Sequence, residues 1–208
     1  MRNFWCILLA MNKEIVLATH NANKVREYRE LLAPLGYVIY SAKDLNIDDE
    51  PIENGKTYAE NAYIKAKALR SLVKWPVIAD DSGIEIKALG NHFPGLRSAR
   101  WADEIGQGDY AVVDQKVIDL LHEAKDRSAE YRCCICLLEN IASKPLFFEG
   151  ICRGHILTEV KGKNGFGYDP IFHYDEGNLD FGTCSEEEKN AVSHRARALQ
   201  KLVVYLAI

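Results

Sequence analysis

The chain has 208 residues, of which 48% are hydrophobic and 27% charged, and its formal net charge is -4. This composition is ordinary for a globular protein, and a chain of this length buries a substantial core without disulfides or structural metals. The mildly acidic balance argues against a protein that coats nucleic acid, which usually carries a basic domain or stripe. The six cysteines do not form the two C-x-x-C motifs of a typical zinc site, and we expect no disulfide framework either. Both expectations fit a reducing cytoplasm.

The first ten residues stand apart from the remainder of the chain. Phe4–Ala10 is an apolar run preceded by Arg2, and it is far too short to span a bilayer. Met11 stands directly before a strand-like run and is predicted to be the natural start. We therefore predict that residues 1–10 are an upstream extension and that residues 11–208 form a single domain.

Strand and helix patterns alternate through the first half of the chain. Apolar runs predict strands at Ile15–Ala18, Tyr37–Ser41, Val77–Ala79 and Ile84–Leu89. Helical spacing predicts one helix after Lys24 and a longer helix that opens with a capping pattern at Thr57 and Glu60. Between these helices, Asp44–Asn54 is an acidic loop rich in turn-forming residues. This alternation indicates an α/β protein.

The second half adds long strands and long loops. Loops are predicted at Gly90–Gly108 and Val160–Pro170, strands at Ser128–Asn140 and Leu146–Leu157, and helices from Tyr110 and from a capping pattern at Ser185. Loops of this length are usually functional rather than simple connections. The whole pattern predicts one α/β unit with a mixed central sheet, flanking helices and a cleft between two lobes, with both loops beside the cleft.

The first polar cluster, Thr19–Lys24, follows a predicted strand and precedes a helix. A helix N-terminus presents free backbone N–H groups and the positive end of a dipole, both of which suit a phosphate. Thr19 and Asn21 add short hydrogen-bonding side chains, and Lys24 adds a positive charge. The alternative interpretation is an ordinary helix cap by Asn21 or Asn23, which is a common arrangement.

Asp80 and Asp81 directly follow the predicted strand that ends at Ala79. Ligands of open α/β sheets bind beyond the carboxyl ends of strands, and two adjacent carboxylates repel each other unless a cation lies between them. Magnesium takes oxygen ligands, often one or two carboxylates plus substrate phosphates. Glu50 and Glu53 in the acidic loop are candidates for a further ligand. The alternative is turn chemistry, because Asp-Ser-Gly is a favourable turn sequence.

Gly165–Pro170 places two glycines around Phe166. Glycine gives the backbone unusual freedom. The Phe166 ring is therefore free either to stack on a nucleobase or to fold into the core, and this segment leaves both interpretations open.

Lys189, His194 and Arg195 place three donors within seven residues. In one straight helix Arg195 would fall on the apolar stripe beside Leu199, where a buried and unpaired arginine is costly. Either Arg195 has a partner, or the helix breaks near Ser193, which would then cap a new helix. The alternative for Lys189 and His194 is solvated surface charge.

Pro94–Arg100 is the last candidate segment. Its two arginines, Arg97 and Arg100, are placed either to reach phosphates and shape a lid or to anchor a structural loop through salt bridges. The second interpretation is slightly favoured.

Together and in this order, these motifs resemble those of the inosine triphosphate pyrophosphatase family, also called the Ham1 or RdgB family. The matching motifs are T-x-N-x-x-K at Thr19–Lys24, E-x-G-x-T-x-x-E-N-A at Glu53–Ala62, A-D-D-S-G at Ala79–Gly83, P-G-x-x-S-A-R at Pro94–Arg100, F-G-Y-D-P at Phe166–Pro170 and K-N-A-x-S-H-R at Lys189–Arg195. The resemblance extends from about Lys13 to the C-terminus. His20, Asn23, Ile84 and Trp101 depart from the residues common in the family, but no charged functional position is lost.

The resemblance implies a homodimeric cytoplasmic enzyme with an elongated, bent mixed sheet and two lobes around a cleft. It implies hydrolysis of non-standard purine nucleoside triphosphates (ITP, dITP, XTP) to the monophosphate and pyrophosphate, with Mg²⁺ as cofactor. The sequence itself predicts neither membrane nor nucleic acid as partner, because no stretch is long enough to span a bilayer and the charge balance is acidic. By the same likeness Asp81 is the proton acceptor and a metal contact, and Glu53 is a metal ligand. The substrate-binding residues it implies are Thr19, His20, Asn21, Ala22, Asn23, Lys24, Lys65, Ser82, Phe166, Gly167, Tyr168, Asp169, Lys189, His194 and Arg195.

Three other functions compete with this interpretation. A sensor that binds a nucleotide without cleaving it does not need the set Glu53, Asp80 and Asp81, because binding alone requires no base beside a metal. A Maf-like pyrophosphatase for other bases is disfavoured by the segment Ser193–Arg195. A nucleic-acid-binding module is disfavoured by the acidic balance and the lack of a basic stripe.

Overall fold

The computed structural model describes residues 13–207, so the predictions about residues 1–10, Met11 and Cys6 lie outside the described residues. The strands are β1 Glu14–Leu17, β2 Val38–Ser41, β3 Val77–Ile86, β4 Ser128–Leu138, β5 Leu146–Ile156, β6 Phe172–Tyr174 and β7 Leu179–Asp180. The α-helices are α1 Ala22–Leu32, α2 Tyr58–Arg70, α3 Ser98–Gly106, α4 Tyr110–Leu120, α5 Glu186–Val192 and α6 His194–Leu206. Within this part of the chain, no helix is long and apolar enough to cross a membrane.

One mixed sheet organises the fold, in the order β2-β1-β3-β4-β5-β6-β7. β1 pairs in parallel with β2 and β3, and the remaining neighbours pair antiparallel. Helices α1 and α6 cover one face of the sheet, and α2 covers the other. The predicted mixed α/β sheet with flanking helices is therefore confirmed.

The two long central strands connect two lobes. The first part of β3, at Val77–Ala79, packs with α1, α2 and α6. The last part, at Ile84 and Ile86, belongs to a separate core formed with α3, α4 and the β4–β6 strands. The polar residues between these two apolar parts therefore lie where the lobes meet, which is where a cleft was predicted.

The prediction of two short strands separated by an Asp-Ser-Gly turn was wrong. β3 runs without interruption through Val77–Ile86, because β4 pairs with every residue of it, from Val77 opposite Leu138 to Ile86 opposite Ala129. A complete ladder of backbone hydrogen bonds outweighs the local turn preference. Asp80 and Asp81 therefore lie inside a strand, just beyond the end of its neighbour β1, which pairs with it only as far as Ile78.

Two other parts of the chain differ from the sequence-based expectation. The predicted loop Gly90–Gly108 contains helix α3, which packs Ala102 into the core of the second lobe. The strands β6 and β7 are too short for their periodicity to be recognised.

The last helix breaks at Ser193, as one alternative predicted. This residue has extended backbone angles, and its hydroxyl caps α6 by accepting a hydrogen bond from the Ala196 N–H at 3.2 Å.

Candidate active site

A cleft of about 730 Å³ lies between the lobes. All residues predicted for substrate, metal or catalysis line it except Ala22: Thr19, His20, Asn21, Asn23, Lys24, Glu53, Lys65, Asp81, Ser82, Phe166, Gly167, Tyr168, Asp169, Lys189, His194 and Arg195. These residues come from six segments spread over the whole chain. The fold therefore brings the sequence motifs together, while the role of each residue stays a prediction.

Asp80 and Asp81 point to opposite faces of the sheet, because side chains alternate along a strand. Asp80 contacts Lys24 of α1 and Arg195 of α6, on one face. Asp81 contacts Lys65 of α2, on the other face. The two carboxylates therefore need no shared cation to relieve their repulsion, since each has its own cationic partners.

Asp80 is a buried anchor. One of its oxygens, Oδ2, lies 3.0 Å from Lys24 Nζ, 3.3 Å from Arg195 Nε and 3.7 Å from the Cys133 thiol. Burial by itself would raise the pKa of Asp80, but Lys24 and Arg195 lower it well below its usual range. Asp80 is therefore a fixed negative charge that holds two cations at the cleft wall.

Asp81 has a different environment. Its Oδ2 accepts a hydrogen bond from Asn61 Nδ2 at 3.0 Å, and its Oδ1 lies 3.6 Å from Lys65 Nζ and accepts from the Ser82 N–H at 3.1 Å. Burial raises the pKa of Asp81, and Lys65 and Asn61 offset this only in part. A carboxylate with a raised pKa accepts a proton more readily, as a general base requires.

Glu53 reaches the same lysine from the acidic loop, with Lys65 Nζ 3.2 Å from Glu53 Oε1. Glu53 and Asp81 thus offer carboxylate oxygens around one point, which is the donor set that Mg²⁺ prefers when phosphates complete its shell. Among the described residues, no group of three or more His, Cys, Asp and Glu side chains forms a preassembled metal site. Glu50 is engaged elsewhere, because it pairs with His20 Nδ1 at 2.6 Å.

Helix α1 begins at the edge of the cleft. Asn21 is its N-cap, and its side chain accepts from the backbone N–H groups of Asn23 and Lys24. The capping alternative is therefore confirmed, and those two N–H groups already have a partner. His20 contacts the acidic loop at two points. Its Nε2 lies 2.9 Å from the Ile47 carbonyl oxygen, and its Nδ1 lies 2.6 Å from Glu50 Oε1.

A chain of buried charges lies along one wall of the cleft. Lys189 Nζ lies 3.1 Å from Glu27 Oε1 and 2.7 Å from Asp169 Oδ2. Glu27 also pairs with the Arg195 guanidinium, so both alternatives for Arg195 hold: it has partners and the helix breaks before it. Burial by itself would raise the pKa of Glu27, but Arg195 and Lys189 lower it below its usual range. The surface-charge alternative for Lys189 is wrong, since this side chain is buried.

The glycines around Phe166 set the ring at the cleft. Gly165 has φ +75°, and a Cβ there would lie 2.2 Å from Asp169 Oδ2, so a side chain at this position is excluded. This close approach allows the Phe166 N–H to donate to Asp169 Oδ2 at 2.7 Å. The Phe166 ring is half-buried, lines the cleft, and lies 4.6 Å from Lys189 Nζ.

His194 is buried behind this wall and stacks on Tyr131 at 4.7 Å between ring centroids. Burial, reinforced by the charges of Arg195 and Lys189, holds the pKa of His194 well below its usual range, so the imidazole is neutral. Its Nδ1 has no hydrogen-bond partner among the described residues. The surface-charge alternative for His194 is therefore wrong.

The two arginines of the Pro94–Arg100 segment make local contacts. Arg97 pairs with Glu104 at 2.7 Å, which confirms the structural interpretation for this residue. Arg100 donates to the Leu96 carbonyl at 3.1 Å and lines the cleft.

Sequence reasoning missed two residues of the site, Glu27 and Asn61. A signal for Asn61 was present, because it lies four positions before Lys65 and such pairs share one face of a helix. The signal for Glu27 was weaker. Its position next to the apolar residue Tyr28 on α1 suggested burial, but its partner Lys189 lies far along the chain, so no local pattern indicated the ion pair.

Carboxylates at the centre of a two-lobed α/β cleft, cations on both sides and a half-buried ring form a site whose chemistry suits a polyanion that carries a flat aromatic group. Comparison with known proteins identifies the family. Residues 15–205 match the Ham1 family, and the chain therefore belongs to the Ham1 family.

Relatives of known name support this assignment. The chain is 45% identical over 188 residues to a dITP/XTP pyrophosphatase of Desulfotalea psychrophila, covering 90% of this chain and 82% of that protein. It is 41% identical over 193 residues to a dITP/XTP pyrophosphatase of Bacillus subtilis, covering 91% and 95%. Among solved structures, the Ham1 protein of Coxiella burnetii superposes with a TM-score of 0.80 at 39% identity, covering 93% of this chain and 98% of that one.

Proposed function

We propose that this protein hydrolyses non-standard purine nucleoside triphosphates (ITP, dITP and XTP) to the nucleoside monophosphate and pyrophosphate, and so keeps abnormal bases out of DNA and RNA. The observation that carries the proposal is one cleft that is lined by Asp81, by the cations Lys65 and Lys24, and by the Phe166 ring beside Lys189. Family membership and the activity for which the relatives are named support it.

Asp81 is proposed to orient a water molecule and to take its proton as the water attacks the α-phosphorus. The bond from that phosphorus to the oxygen bridging to the β-phosphate breaks, and pyrophosphate leaves. Lys65 favours the ionised form of Asp81 that a base requires, because its ammonium lies 3.6 Å from the carboxylate and lowers the pKa of Asp81 against the effect of burial. General-base action of this kind contributes about a hundred- to ten-thousand-fold.

Mg²⁺ is proposed to bind with the substrate at Glu53 and Asp81. When bound, this ion supplies positive charge that offsets the charge of the phosphates. Lys24 and Lys65 add fixed positive charges on the cleft wall, and a preorganised charge of this sort is the main contribution a protein makes to phosphoryl transfer. Both lysines are mostly shielded from water, with 13% of each side chain exposed.

The choice of base follows from hydrogen-bond chemistry. Hypoxanthine and xanthine present an acceptor oxygen at position 6, whereas adenine presents a donor amino group. Lys189 and Arg195 are donors with no accepting capacity, so neither can accept a hydrogen bond from an adenine amino group. Sites that hydrogen-bond one specific group discriminate by as much as ~10⁴.

The test is pyrophosphate release from ITP, dITP, XTP, GTP and ATP, each with Mg²⁺ and with a chelator. We expect rapid release from the first three and, as the order of magnitude for such sites, at least ~10²-fold slower release from ATP. The chelator should abolish release and added Mg²⁺ should restore it. Binding of ITP without release would indicate a sensor, and preference for another base would indicate a Maf-like enzyme.

We also propose that the protein is a cytoplasmic homodimer that does not bind nucleic acid. The resemblance to the family supports the dimer, and the net charge of -4 supports the absence of nucleic-acid binding. Light scattering after size exclusion measures the mass of the assembly, and a titration with labelled DNA and RNA at low salt tests the second statement.

A further inference from the structure

The side-chain amide of Asn61 is hydrogen-bonded through both its nitrogen and its oxygen. It lies on α2 with 1% of its surface exposed. Its Nδ2 donates to Asp81 Oδ2 at 3.0 Å, and its Oδ1 accepts from the Gly55 N–H at 2.8 Å. The orientation of this amide follows from its partners, since an ionised carboxylate only accepts and a backbone N–H only donates. One buried side chain therefore links the carboxylate of β3 to the loop that carries Glu53.

Lys65 makes a second link beside the first. It lies one helical turn after Asn61 on the same face of α2, and its Nζ is 3.2 Å from Glu53 Oε1 and 3.6 Å from Asp81 Oδ1. The charged link will change when substrate phosphates attract the ammonium of Lys65. The link through Asn61 differs because its amide carries no net charge, so the phosphates attract it much less than they attract an ammonium.

The amide also distinguishes the two oxygens of Asp81. Since Oδ2 is held by Asn61, Oδ1 is the oxygen that lies towards Lys65 and the Ser82 N–H. Without this bond only the Ser82 N–H and Lys65 would hold the carboxylate, and its terminal torsion would cover a broader range of angles. Misplacement of a reacting group by about 1 Å costs up to ~10²-fold in rate.

Gly55 is required for the contact on the loop side. A Cβ at this position would lie 2.7 Å from Asn61 Oδ1, 2.7 Å from Glu60 Cβ and 2.9 Å from the Asn61 backbone nitrogen. Any side chain would therefore push the loop away from the amide. This provides a second way to break the link, at a residue that carries no functional group.

We propose that Asn61 is a positioning residue that fixes the Asp81 carboxylate and the Glu53 loop in one arrangement before substrate binds. The inference rests on the proposed roles of Asp81 and Glu53. It concerns the geometry of the ligand-free protein, so part of its test does not depend on turnover.

The first measurement is steady-state kinetics of Asn61→Leu and Gly55→Ala with dITP. We expect kcat to fall about 10- to 100-fold in each, with KM within about threefold of the wild-type value, because binding of the base and phosphates does not involve Asn61. The double variant should lose little more than the worse single variant, since both changes break the same link and coupled sites are not additive. Gln115→Leu is the matched control: it removes an exposed amide–carboxylate bond to Asp119, 2.9 Å long, and should leave kcat unchanged.

The second measurement is hydrogen exchange of the Gly55 amide in the ligand-free protein. In the wild type this N–H is protected by a buried acceptor, so exchange should be at least about tenfold faster in Asn61→Leu, while the interior of α2 keeps its protection. If Asn61→Leu does not fold, Gly55→Ala tests the same link by the same kinetics, and wild-type kcat in that variant would overturn the inference.

Three outcomes would overturn the inference: wild-type kcat in Asn61→Leu, a loss confined to KM, or additive losses in the double variant. A parallel Asp81→Asn variant separates this failure from failure of the proposed function. If Asp81→Asn is inactive and Asn61→Leu is fully active, only the positioning role is wrong. If both are fully active, the role of Asp81 is wrong as well.

Discussion

Asp80 and Asp81 are neighbours in the sequence, yet their side chains leave β3 on opposite faces of the sheet. Asp80 meets Lys24 and Arg195 on the face covered by α1 and α6, and Asp81 meets Asn61 on the face covered by α2. The two carboxylates therefore have separate environments, and burial acts on both while cations reverse its effect only at Asp80. This separation predicts different consequences for the same substitution at the two positions.

Asp81→Asn removes the proposed base while keeping the shape of the side chain. We expect kcat with dITP to fall by about 10² to 10⁴, the usual contribution of a general base, while the protein stays folded. Pyrophosphate release and circular dichroism measure the two effects. Asp119→Asn, an exposed carboxylate on α4, is the control and should behave as wild type. Near-normal turnover by a folded Asp81→Asn protein would refute the assignment.

Asp80→Asn should instead reduce stability. The substitution leaves the buried Arg195 guanidinium and the Lys24 ammonium without a carboxylate that lies 3.3 Å and 3.0 Å away. Breaking a buried ion pair on one side costs about 3–5 kcal/mol. Urea unfolding measures this free energy, with Asp119→Asn again as control. A loss below about 1 kcal/mol would mean that Asp80 does not anchor the two cations.

Phe166→Ala tests the proposed stacking of the ring on the nucleobase. Stacking of one base on an aromatic side chain contributes about 1–3 kcal/mol, which corresponds to a rise in KM for dITP of roughly 5- to 150-fold. We expect kcat to change much less, because the proposed contact of Phe166 is with the base and not with the reacting phosphates. Phe147→Ala, at a ring that is 42% exposed on β5 and outside the cleft, is the matched control. Equal KM values for the two variants would exclude stacking.

Asp114→Asn tests a buried acid on α4. Asp114 is 1% exposed, its Oδ1 has no hydrogen-bond partner within the described chain, and burial together with the charge of Asp169 raises its pKa from 3.8 to about 7. Because the folded protein holds this proton more tightly than the unfolded chain, stability falls as pH rises between these two values and stays reduced above pH 7. The full pKa shift corresponds to a decrease of at most about 4 kcal/mol in the free energy of unfolding.

The neutral amide removes that cost, so the gain in stability of Asp114→Asn over wild type should be larger at pH 8 than at pH 5. Urea unfolding at the two pH values measures the difference, and Asp119→Asn controls for the general effect of a lost charge. A difference between Asp114→Asn and wild type that does not change with pH would show that Asp114 ionises normally in the folded protein.

Local patterns predicted most of the elements because their signals lie within a few residues. The apolar spacing around Tyr28 predicted α1, and the long alternating runs predicted β4 and β5. The same local reasoning failed at Asp-Ser-Gly, where a turn preference worth little by itself was overridden by pairing with β4. It also failed for α3, whose helical residues are stabilised mainly by packing into the second lobe.

The amino-acid sequence by itself determined which chemical groups are present and in which motifs they occur, and this sufficed to indicate the family. Only the tertiary structure decided which groups meet. Glu27 and Arg195 are separated by 168 positions, and Asn61 and Asp81 by 20, yet each pair is in contact. The physical reason is that hydrogen bonds and ion pairs act over a few ångströms, so their partners are set by the packing of helices on the sheet and not by distance along the chain.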